Sequence, residues 1–124
     1  MTIKASIPHR ILLVDDNADA GIMLSMVLKL LGHEVVTART GADGLAEAKD
    51  FRPDVAILDI GMPGMDGHEL CRRLRAEPGG TSIRMIALTG WGSEVDRQRT
   101  RAAGFDVHLV KPVDRETLSK ALDP

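Results

Sequence analysis

Five residues with charged or hydrogen-bonding side chains stand directly after short apolar runs of the sequence. They are Asp15 and Asp16 after residues 11–14, Asp59 after residues 55–58, Thr89 after residues 83–88 and Lys111 after residues 107–110. Carboxylate oxygens are the ligands that a hard divalent cation such as Mg²⁺ prefers. Acids that lie together repel one another, by roughly 4 kcal/mol for a pair about 4 Å apart at an effective dielectric constant near 20. The set therefore predicts an acidic pocket that holds a metal ion beside a lysine.

The same set predicts chemistry at phosphorus. Asp59 is followed by the loop GMPG at residues 61–64, which leaves space above a carboxylate. An acid in that place is able to attack phosphorus, while a metal ion and Lys111 neutralise charge on the transferred group. Thr89 adds a hydroxyl donor. Asp59 is the acid best placed to be the nucleophile, with Lys111 and Thr89 as its catalytic partners.

These residues converge only if the apolar runs are strands of one sheet. The runs are rich in Val, Ile and Leu and lack polar alternation, which is typical of parallel strands covered on both faces. They occur at residues 11–14, 35–38, 55–58, 83–88 and 107–110, and segments with helical periodicity lie between them. Five strand and helix pairs predict an α/β fold with an open parallel sheet and helices on both faces. Ligands of such sheets bind beyond the carboxyl ends of the strands.

Residues typical of helix ends stand between the runs. The candidate N-caps are Asn17, Thr40, Asp66, Ser93 and Asp114, and the candidate C-terminal glycines are Gly32 and Gly104. Asp66 and Ser93 are each followed three residues later by an acid, as in a capping box. The second of these acids is the shorter Asp96. These candidate helix ends support the alternation of strands and helices.

The composition limits the remaining possibilities. The 124 residues are 44% hydrophobic with a net charge of -2, which indicates one globular domain without the basic excess that nucleic-acid binding requires. The single cysteine, Cys71, has no partner for an internal disulfide, which favours a reducing compartment. The longest apolar run, residues 22–31, is shorter than a membrane span and is broken by Ser25 and Lys29. We therefore predict a cytoplasmic protein that binds neither nucleic acid nor a membrane directly.

Four segments together resemble the response-regulator receiver domains of two-component signalling. They are ILLVDDN at residues 11–17, ILDIGMPGMDG at 57–67, ALTG at 87–90 and LVKP at 109–112, and the resemblance extends over residues 10–122. It implies a (βα)5 flavodoxin-like fold with strand order 2-1-3-4-5, with an N-terminal tail at residues 1–9 and the receiver domain at 10–124. It also implies a signalling domain rather than an enzyme, which catalyses only its own phosphorylation and slow dephosphorylation.

The resemblance implies that Asp59 accepts a phosphoryl group from a phosphohistidine in a Mg²⁺-dependent reaction. The donor would be a histidine kinase or a histidine phosphotransfer protein. The implied metal ligands are Asp16, Asp59 and the backbone carbonyl of Gly61, with Asp15 acting largely through water. Lys111 would pair first with the acids and then with the phosphoryl group.

The family's signalling couples the position of Thr89 to an aromatic side chain on the last strand. By the same resemblance, Thr89 hydrogen-bonds the phosphoryl group, and Pro112 follows the site lysine with a cis peptide bond. The surface of the fourth helix, fifth strand and fifth helix carries the signal. His108 stands at the aromatic position in this chain, which departs from the family. Histidine is smaller than the family's aromatic side chain, and it titrates near neutral pH.

Two positions bear on the lifetime of an aspartyl phosphate. Gly61, two residues after Asp59, has no side chain to orient an attacking water. Trp91, two residues after Thr89, is large enough to shield the phosphate, although packing within its loop is the alternative role. Both residues predict slow self-hydrolysis.

Several other residues are predicted to be structural or solvated. Met23, Met26 and Cys71 are expected in or near the core. The side chains of His9, His33 and His68 are expected to be solvated, in a tail, a turn and an exposed helix start. The fourth helix is weakly amphipathic, with Val95 and Ala102 as its inward-facing residues. The arginines at positions 72, 73, 75, 97, 99 and 101 are expected to lie on solvated faces.

Two other functions are possible on a similar topology. A phosphatase of the haloacid dehalogenase type also has an aspartyl nucleophile after a strand, but it requires a second acid where this chain has Gly61. A flavodoxin-like FMN carrier requires a Ser-, Thr- or Gly-rich phosphate loop where this chain has DDNADAG. The LTGWG segment at residues 88–92 resembles receivers of hybrid histidine kinases, so a stand-alone receiver and a part of such a kinase both stay open.

Overall fold

Strands and helices alternate along the chain in the computed structural model, which describes residues 7–123. The strands are β1 (Arg10–Val14), β2 (Glu34–Ala38), β3 (Val55–Asp59), β4 (Arg84–Thr89) and β5 (Val107–Val110). The helices are α1 (Ala18–Leu30), α2 (Gly41–Phe51), α3 (Gly67–Ala76), α4 (Glu94–Ala103) and α5 (Arg115–Leu122), and a short 3₁₀ helix (Gly80–Ser82) precedes β4. Residues 1–6 of the expected tail, and Pro124, lie outside the described residues.

The strands form one parallel sheet in the order β2-β1-β3-β4-β5, which confirms the predicted fold. The register aligns their carboxyl ends. Val14 pairs with Leu58, Asp59 pairs with Leu88, and Thr89 pairs with Val110. The residues at these ends therefore lie along one edge of the sheet.

The central strand β3 is buried along its whole length and contributes to the core on both faces of the sheet. Val55 and Ile57 pack in the layer under α1 and α5, whereas Ala56 and Leu58 pack in the layer under α2, α3 and α4. This two-sided burial explains why the strand has no polar alternation before Asp59. The strand is thereby held firmly enough to position its last side chain.

The helices begin at the predicted caps. The Asn17 side chain accepts a hydrogen bond from the Ala20 backbone at 3.1 Å, and Thr40, Asp66 and Asp114 cap their helices in the same way. Ser93 and Asp96 form a capping box in both directions. Gly104 ends α4 with φ of 110°, in the left-handed region that glycine favours.

The strand boundaries differ slightly from the predicted ones. Asp59 and Thr89 are the last residues of β3 and β4 rather than the first residues after them. Both still pair with a neighbouring strand, which extends the ladder by one residue. β4 begins at Arg84, because a 3₁₀ helix that the sequence pattern did not predict ends at Ser82, with Ile83 as its C-cap.

The prediction that Met23 and Met26 lie in or near the core is wrong. Their exposed fractions are 69% and 60%, and the neighbouring side chains of Ile22 and Leu30 are exposed as well. The buried face of α1 consists of Gly21, Ser25 and Leu28. Because α1 is apolar on both faces, its periodicity did not indicate which face packs.

No helix among residues 7–123 is long and apolar enough to cross a membrane.

The inward face of α4 was also predicted incorrectly. Val95 is 64% exposed and Ala102 is exposed, whereas Thr100 and Ala103 are buried. The polar Thr100 is tolerated there because its hydroxyl donates to the Arg97 carbonyl at 3.0 Å.

Cys71 is buried, as predicted, and burial raises the pKa of its thiol to about 11. The thiol therefore stays protonated at neutral pH, and it acts as a small apolar side chain in the core.

Arg75 is not on a solvated face, although the sequence pattern placed it there. Its guanidinium donates to the carbonyls of Gly104 and Gly80, at 2.7 Å and 2.8 Å, and contacts Asp106 at 3.0 Å. It also donates to the Ile83 carbonyl. One side chain thus joins α3 to the segment before β4 and to the turn before β5.

The three histidines that were expected to be solvated are packed into the domain. His33 is 5% exposed, and the side chains of His9 and His68 are 15% and 12% exposed. The His68 ring lies edge-on against Phe105. His9 and His33 stack with their ring centroids 5.3 Å apart. These contacts join distant segments, so a local pattern of polarity did not reveal them.

Candidate functional site

Three carboxylates meet at the carboxyl ends of β1 and β3. Asp15 follows β1, Asp16 is next in the chain, and Asp59 ends β3. One oxygen from each lies within 4.8 Å of the others. Asp15 and Asp59 are buried, whereas Asp16 is exposed at the mouth of the cluster. The structure therefore brings together the three acids that the sequence singled out.

Backbone groups hold two of these acids in place. The Asn17 N–H donates to Asp15 Oδ1 at 3.0 Å, and the Gly61 N–H lies 3.4 Å from Asp59 Oδ1. The first bond fixes Asp15 as the chain turns into α1. The second leaves the Asp59 carboxylate directed toward the loop after β3.

Lys111 supplies the positive charge beside the cluster. Its Nζ lies 3.4 Å from Asp59 Oδ1 and 3.7 Å from Asp15 Oδ2. Burial raises the pKa of the Asp59 carboxyl, Lys111 opposes that rise, and the charge of Asp15 adds to it. One lysine thus faces three acids, and the cluster is electrostatically suited to a further cation.

The donor atoms of the cluster fit Mg²⁺. The carboxylates of Asp15, Asp16 and Asp59 are hard oxygen ligands gathered on one edge of the sheet. Mg²⁺ takes one or two carboxylates and keeps several waters, and the exposure of Asp16 leaves the cluster open to water. The loop residue Gly61 lies directly beyond, with its N–H on Asp59.

Thr89 ends β4, which is the strand beside β3, and Lys111 follows β5, which is the next strand of the sheet. Thr89 is 3% exposed, and its hydroxyl oxygen accepts the Trp91 N–H at 3.1 Å. The hydroxyl hydrogen stays available as a donor. The Lys111 backbone N–H donates to the Thr89 carbonyl at 2.8 Å, and the Lys111–Pro112 peptide bond is cis, as the resemblance implies.

Trp91 lies over the loop that follows Asp59. A Cβ atom added to Gly61 would be 3.6 Å and 3.8 Å from two carbons of the indole ring. The ring is 62% exposed, so it covers the loop from the solvent side instead of filling the core. Gly61 and Trp91, which were predicted separately from their spacing to Asp59 and Thr89, are therefore neighbours in the structure.

His108 joins β5 to the loop after β4 and to α4. Its Nε2 lies 2.9 Å from the Trp91 carbonyl oxygen, so this nitrogen carries a hydrogen. Its Nδ1 lies 3.0 Å from the Thr100 hydroxyl. Thr100 was not among the predicted site residues, because nothing in the local pattern indicated that a threonine of α4 would be buried.

A cavity of about 250 Å³ lies between His108 and the loop that follows β3. Gly61, Thr89, His68 and His108 contribute to its walls. Burial lowers the pKa of His68, and its Nδ1 has no hydrogen-bond partner among the described residues. The end of β4 that carries Thr89 and the helix α4 are thus separated by a cavity.

The family model for the response regulator receiver domain matches residues 11–123. The chain therefore belongs to the response regulator receiver domain family, whose members are signalling domains of two-component systems. This membership argues against the phosphatase and the FMN carrier, which belong to other families.

The chain is similar to receivers in several contexts. It is 38% identical to PilH of Pseudomonas aeruginosa, over 92% of this chain and 94% of that protein. It is 35% identical to part of the virulence sensor protein BvgS of Bordetella pertussis, over 97% of this chain but only 10% of that protein. Receivers that make up most of a protein and receivers inside a much longer one are thus both among its relatives.

Two solved structures superpose closely on this one. Chemotaxis protein CheY4 of Vibrio cholerae has a TM-score of 0.88 and 36% identity, and covers 94% of this chain and 97% of its own. The receiver domain of sensor histidine kinase PA1611 from Pseudomonas aeruginosa has a TM-score of 0.84 and 31% identity, over 94% and 95% of the two chains. A magnesium ion is coordinated in the active-site cleft of that receiver.

Proposed function

We propose that this protein is a phosphoacceptor in a two-component phosphorelay, and that Asp59 receives the phosphoryl group. The observation that carries the proposal is the arrangement of Asp15, Asp16 and Asp59 within 4.8 Å, with Lys111 Nζ at 3.4 Å from Asp59. A buried carboxylate at the end of a rigid strand, beside one cation and an open loop, is suited to attack on phosphorus.

The transfer follows from the groups around Asp59. An oxygen of its carboxylate forms a bond to phosphorus, and the bond between phosphorus and the donor's histidine nitrogen breaks, which leaves an acyl phosphate and a neutral imidazole once that nitrogen is protonated. The ammonium of Lys111 neutralises charge on the phosphoryl oxygens, and the Thr89 hydroxyl donates to one of them. Transfer therefore depends on positioning and charge rather than on an acid or base.

The groups that would hold Mg²⁺ are the carboxylates of Asp15, Asp16 and Asp59 and the backbone carbonyl of Gly61. When bound, the ion neutralises negative charge on the transferred group. The role of these side chains in its absence is to concentrate negative charge at the mouth of the site. Their mutual repulsion favours the binding of a divalent cation.

The phosphodonor is a histidine kinase or a histidine phosphotransfer protein, and α1 offers it a docking face. Ile22, Met23, Met26 and Leu30 expose large apolar side chains along this helix. Ile22 also lines a recess that contains Asp15, so the face extends to the site. Exposed apolar side chains grouped beside a reactive residue are typical of a protein-binding surface.

The test is reaction with acetyl phosphate as a small phosphodonor. Intact-protein mass spectrometry is expected to show one added phosphoryl group when Mg²⁺ is present and none when it is chelated. Hydroxylamine should remove the group, since it cleaves acyl phosphates. Continuous release of phosphate over many turnovers, or no adduct at all, would count against a phosphoacceptor.

The setting of the receiver is part of the proposal. We propose a receiver domain at residues 10–124 that works in the cytoplasm, as the single Cys71 suggests. Its relatives include receivers within longer sensor proteins, so a place in a hybrid histidine kinase is one of two arrangements, beside a stand-alone receiver. In both arrangements the domain signals through α4, β5 and α5.

His108 is proposed to carry the signal from Thr89 to α4. The Thr89 hydroxyl accepts the Trp91 N–H, the Trp91 carbonyl accepts from His108 Nε2, and His108 Nδ1 contacts Thr100 on α4. When Thr89 turns to donate to a phosphoryl group, the first of these bonds changes. We expect the ring resonances of His108 to shift when beryllofluoride is added. Identical resonances with and without this phosphoryl mimic would exclude the role.

Trp91 is expected to prolong the life of the acyl phosphate. The Trp91→Ala variant should lose phosphate several-fold faster, because the indole that lies over Gly61 no longer limits the approach of water. Decay of the phosphorylated protein is followed by mass spectrometry after the donor is removed. Val95→Ala, which removes an exposed apolar side chain from α4, is the control and should decay at the wild-type rate. Equal rates in all three proteins would assign Trp91 to loop packing alone.

A further inference from the structure

A cluster of two histidines and two aspartates lies at the end of the sheet opposite Asp59. His9 precedes β1, His33 lies between α1 and β2, Asp54 precedes β3, and Asp123 follows α5. His33 is 5% exposed and the His9 side chain is 15% exposed, so the histidines are packed into the domain. The cluster joins four segments that are distant in the sequence.

Each ring nitrogen of His9 faces a carboxylate. His9 Nε2 lies 2.8 Å from Asp123 Oδ1, and His9 Nδ1 lies 3.4 Å from Asp54 Oδ2. A carboxylate only accepts hydrogen bonds, so each contact requires a hydrogen on the nitrogen concerned. A neutral imidazole has one N–H, whereas an imidazolium has two. The two contacts together therefore match the charged form of His9.

His33 complements this arrangement as a neutral ring. The His9 backbone N–H donates to His33 Nδ1 at 2.9 Å, which requires that Nδ1 carries no hydrogen. Burial lowers the pKa of His33, and the neighbouring charge of His9 lowers it further, against the opposing effect of Asp123 and Asp54. The contacts of the stacked pair thus match one charged and one neutral imidazole.

The other charged groups at this end are engaged elsewhere. The Arg10 guanidinium pairs with Glu34 at 2.8 Å, and Arg84 Nε donates to the Ala121 carbonyl. Asp54 is also fixed by the Arg10 backbone N–H at 2.8 Å, independently of His9. Among residues 7–123, the Asp123 side chain contacts only His9 in this way. His9 is therefore the link between the end of α5 and the start of β3.

We propose that His9 is a protonation-dependent clamp on α5. As an imidazolium it bridges Asp123, at the end of α5, to Asp54, at the start of β3, and it breaks the bridge when it loses a proton. A neutral ring has one N–H for two carboxylates, and the two negative charges then face each other without a cation between them. The attachment of the end of α5 thereby depends on pH, through a histidine on the side of the domain opposite Asp59.

The clamp is independent of phosphorylation, and only its meaning for signalling rests on the proposed function of the α4, β5 and α5 surface. It is tested on the unphosphorylated chain, so failure of the clamp and failure of the phosphoacceptor are distinguishable. Long-range ¹H–¹⁵N spectra of the imidazoles report which ring nitrogens carry hydrogens. We expect two on His9 and one, on Nε2, on His33 below the midpoint of the His9 titration.

The response of α5 is read from its last backbone amide. The Asp123 N–H donates to the Ser119 carbonyl at 3.1 Å, and its resonance should titrate together with the His9 ring. The protection of this amide from hydrogen exchange, corrected for the intrinsic rate, should fall about tenfold as His9 loses its proton. A tenfold change is the size expected for the loss of one charge-assisted hydrogen bond. Asp123→Asn keeps the shape of the side chain and should abolish the pH dependence. His68→Gln, which removes a histidine remote from this cluster, should leave it unchanged.

Two results would overturn the clamp. The first is a His9 ring that carries a single hydrogen throughout pH 5 to 9. The second is an Asp123 amide whose shift and protection do not follow His9, or follow it equally in the Asp123→Asn variant.

Discussion

Asp59→Asn is expected to remove the ability of this chain to accept phosphate. An amide is a poor nucleophile and leaves no carboxylate from which an acyl phosphate forms. The variant should show no adduct by mass spectrometry after incubation with acetyl phosphate and Mg²⁺. Asp50→Asn, an exposed substitution on α2, makes the same change of charge away from the site and should leave the adduct intact.

A hydroxylamine-sensitive adduct that persists in Asp59→Asn would show that another residue accepts the phosphate. Asp15 and Asp16 are the acids nearest to Asp59, so peptide mapping of the adduct would decide between them.

The same substitution is expected to change stability in a pH-dependent way. Burial raises the pKa of Asp59, so the folded chain binds this proton more tightly than the unfolded chain does. The stability of the wild-type protein therefore falls as pH rises from the unfolded pKa, about 4, through the raised folded value. Asn carries no such charge. Without Mg²⁺, Asp59→Asn should be more stable than wild type at pH 7 by roughly 1 kcal/mol, the ordinary size of a single-site effect.

Urea denaturation at pH 4 and pH 7 tests this expectation. The difference between the two proteins should shrink at pH 4, because the raised pKa of Asp59 favours the neutral carboxyl of the folded wild-type protein as the pH falls. Addition of Mg²⁺ at pH 7 should stabilise the wild-type protein more than the variant, because a ligand of the native state raises stability through its binding. A variant that is less stable than wild type at pH 7 without Mg²⁺ would contradict the assignment of Asp59 as a buried, electrostatically strained acid.

Arg75→Ala is expected to cause the largest loss of stability among the arginine substitutions described here. It leaves the carbonyls of Gly104 and Gly80 without their donor, and it separates Asp106 from its cation. Removal of one partner from a largely buried, charge-assisted network costs about 3 kcal/mol. The effect should appear as a lower urea midpoint with an unchanged denaturant dependence.

Arg73→Ala is the matched control for Arg75→Ala. Arg73 is on the same helix, but its only ion pair among residues 7–123 is with Glu69, at 3.2 Å on the exposed surface of α3. Such pairs contribute about 0.5 kcal/mol or less. If Arg75→Ala were no less stable than Arg73→Ala, the network around Arg75 would contribute nothing to the free energy of unfolding. Arg75→Lys should fall between the two, because lysine lacks the planar fork that reaches several carbonyls.

The sequence by itself determined the order of the elements and the composition of the site. Unbroken runs of Val, Ile and Leu predicted parallel strands, and the carboxyl ends of parallel strands share one edge of a sheet. Asp15, Asp59, Thr89 and Lys111 stand at those ends, so their convergence followed from the positions of the runs alone. The error of one residue at the ends of β3 and β4 did not matter, because all of these side chains reach the same edge.

Only the tertiary structure decided which faces of α1 and α4 are buried. Apolar residues occur on both sides of α1, so the hydrophobic pattern carries no information about the packed face, and Ser25 is buried while Met23 is exposed. The same holds for Thr100 of α4, which is buried with its hydroxyl within hydrogen-bond distance of the Arg97 carbonyl and of His108.

The roles of Arg75 and His9 were likewise decided by the tertiary structure. Arg75 binds backbone carbonyls. Every residue has one, so the sequence does not indicate which carbonyls the arginine binds. His9 meets Asp123, which is 114 positions away. The positions of reactive residues at strand ends follow from where the apolar runs end along the chain. A charged side chain that joins remote segments depends on where the folded backbone brings its partners, and the physical reason is that such a contact exists only after the chain has packed.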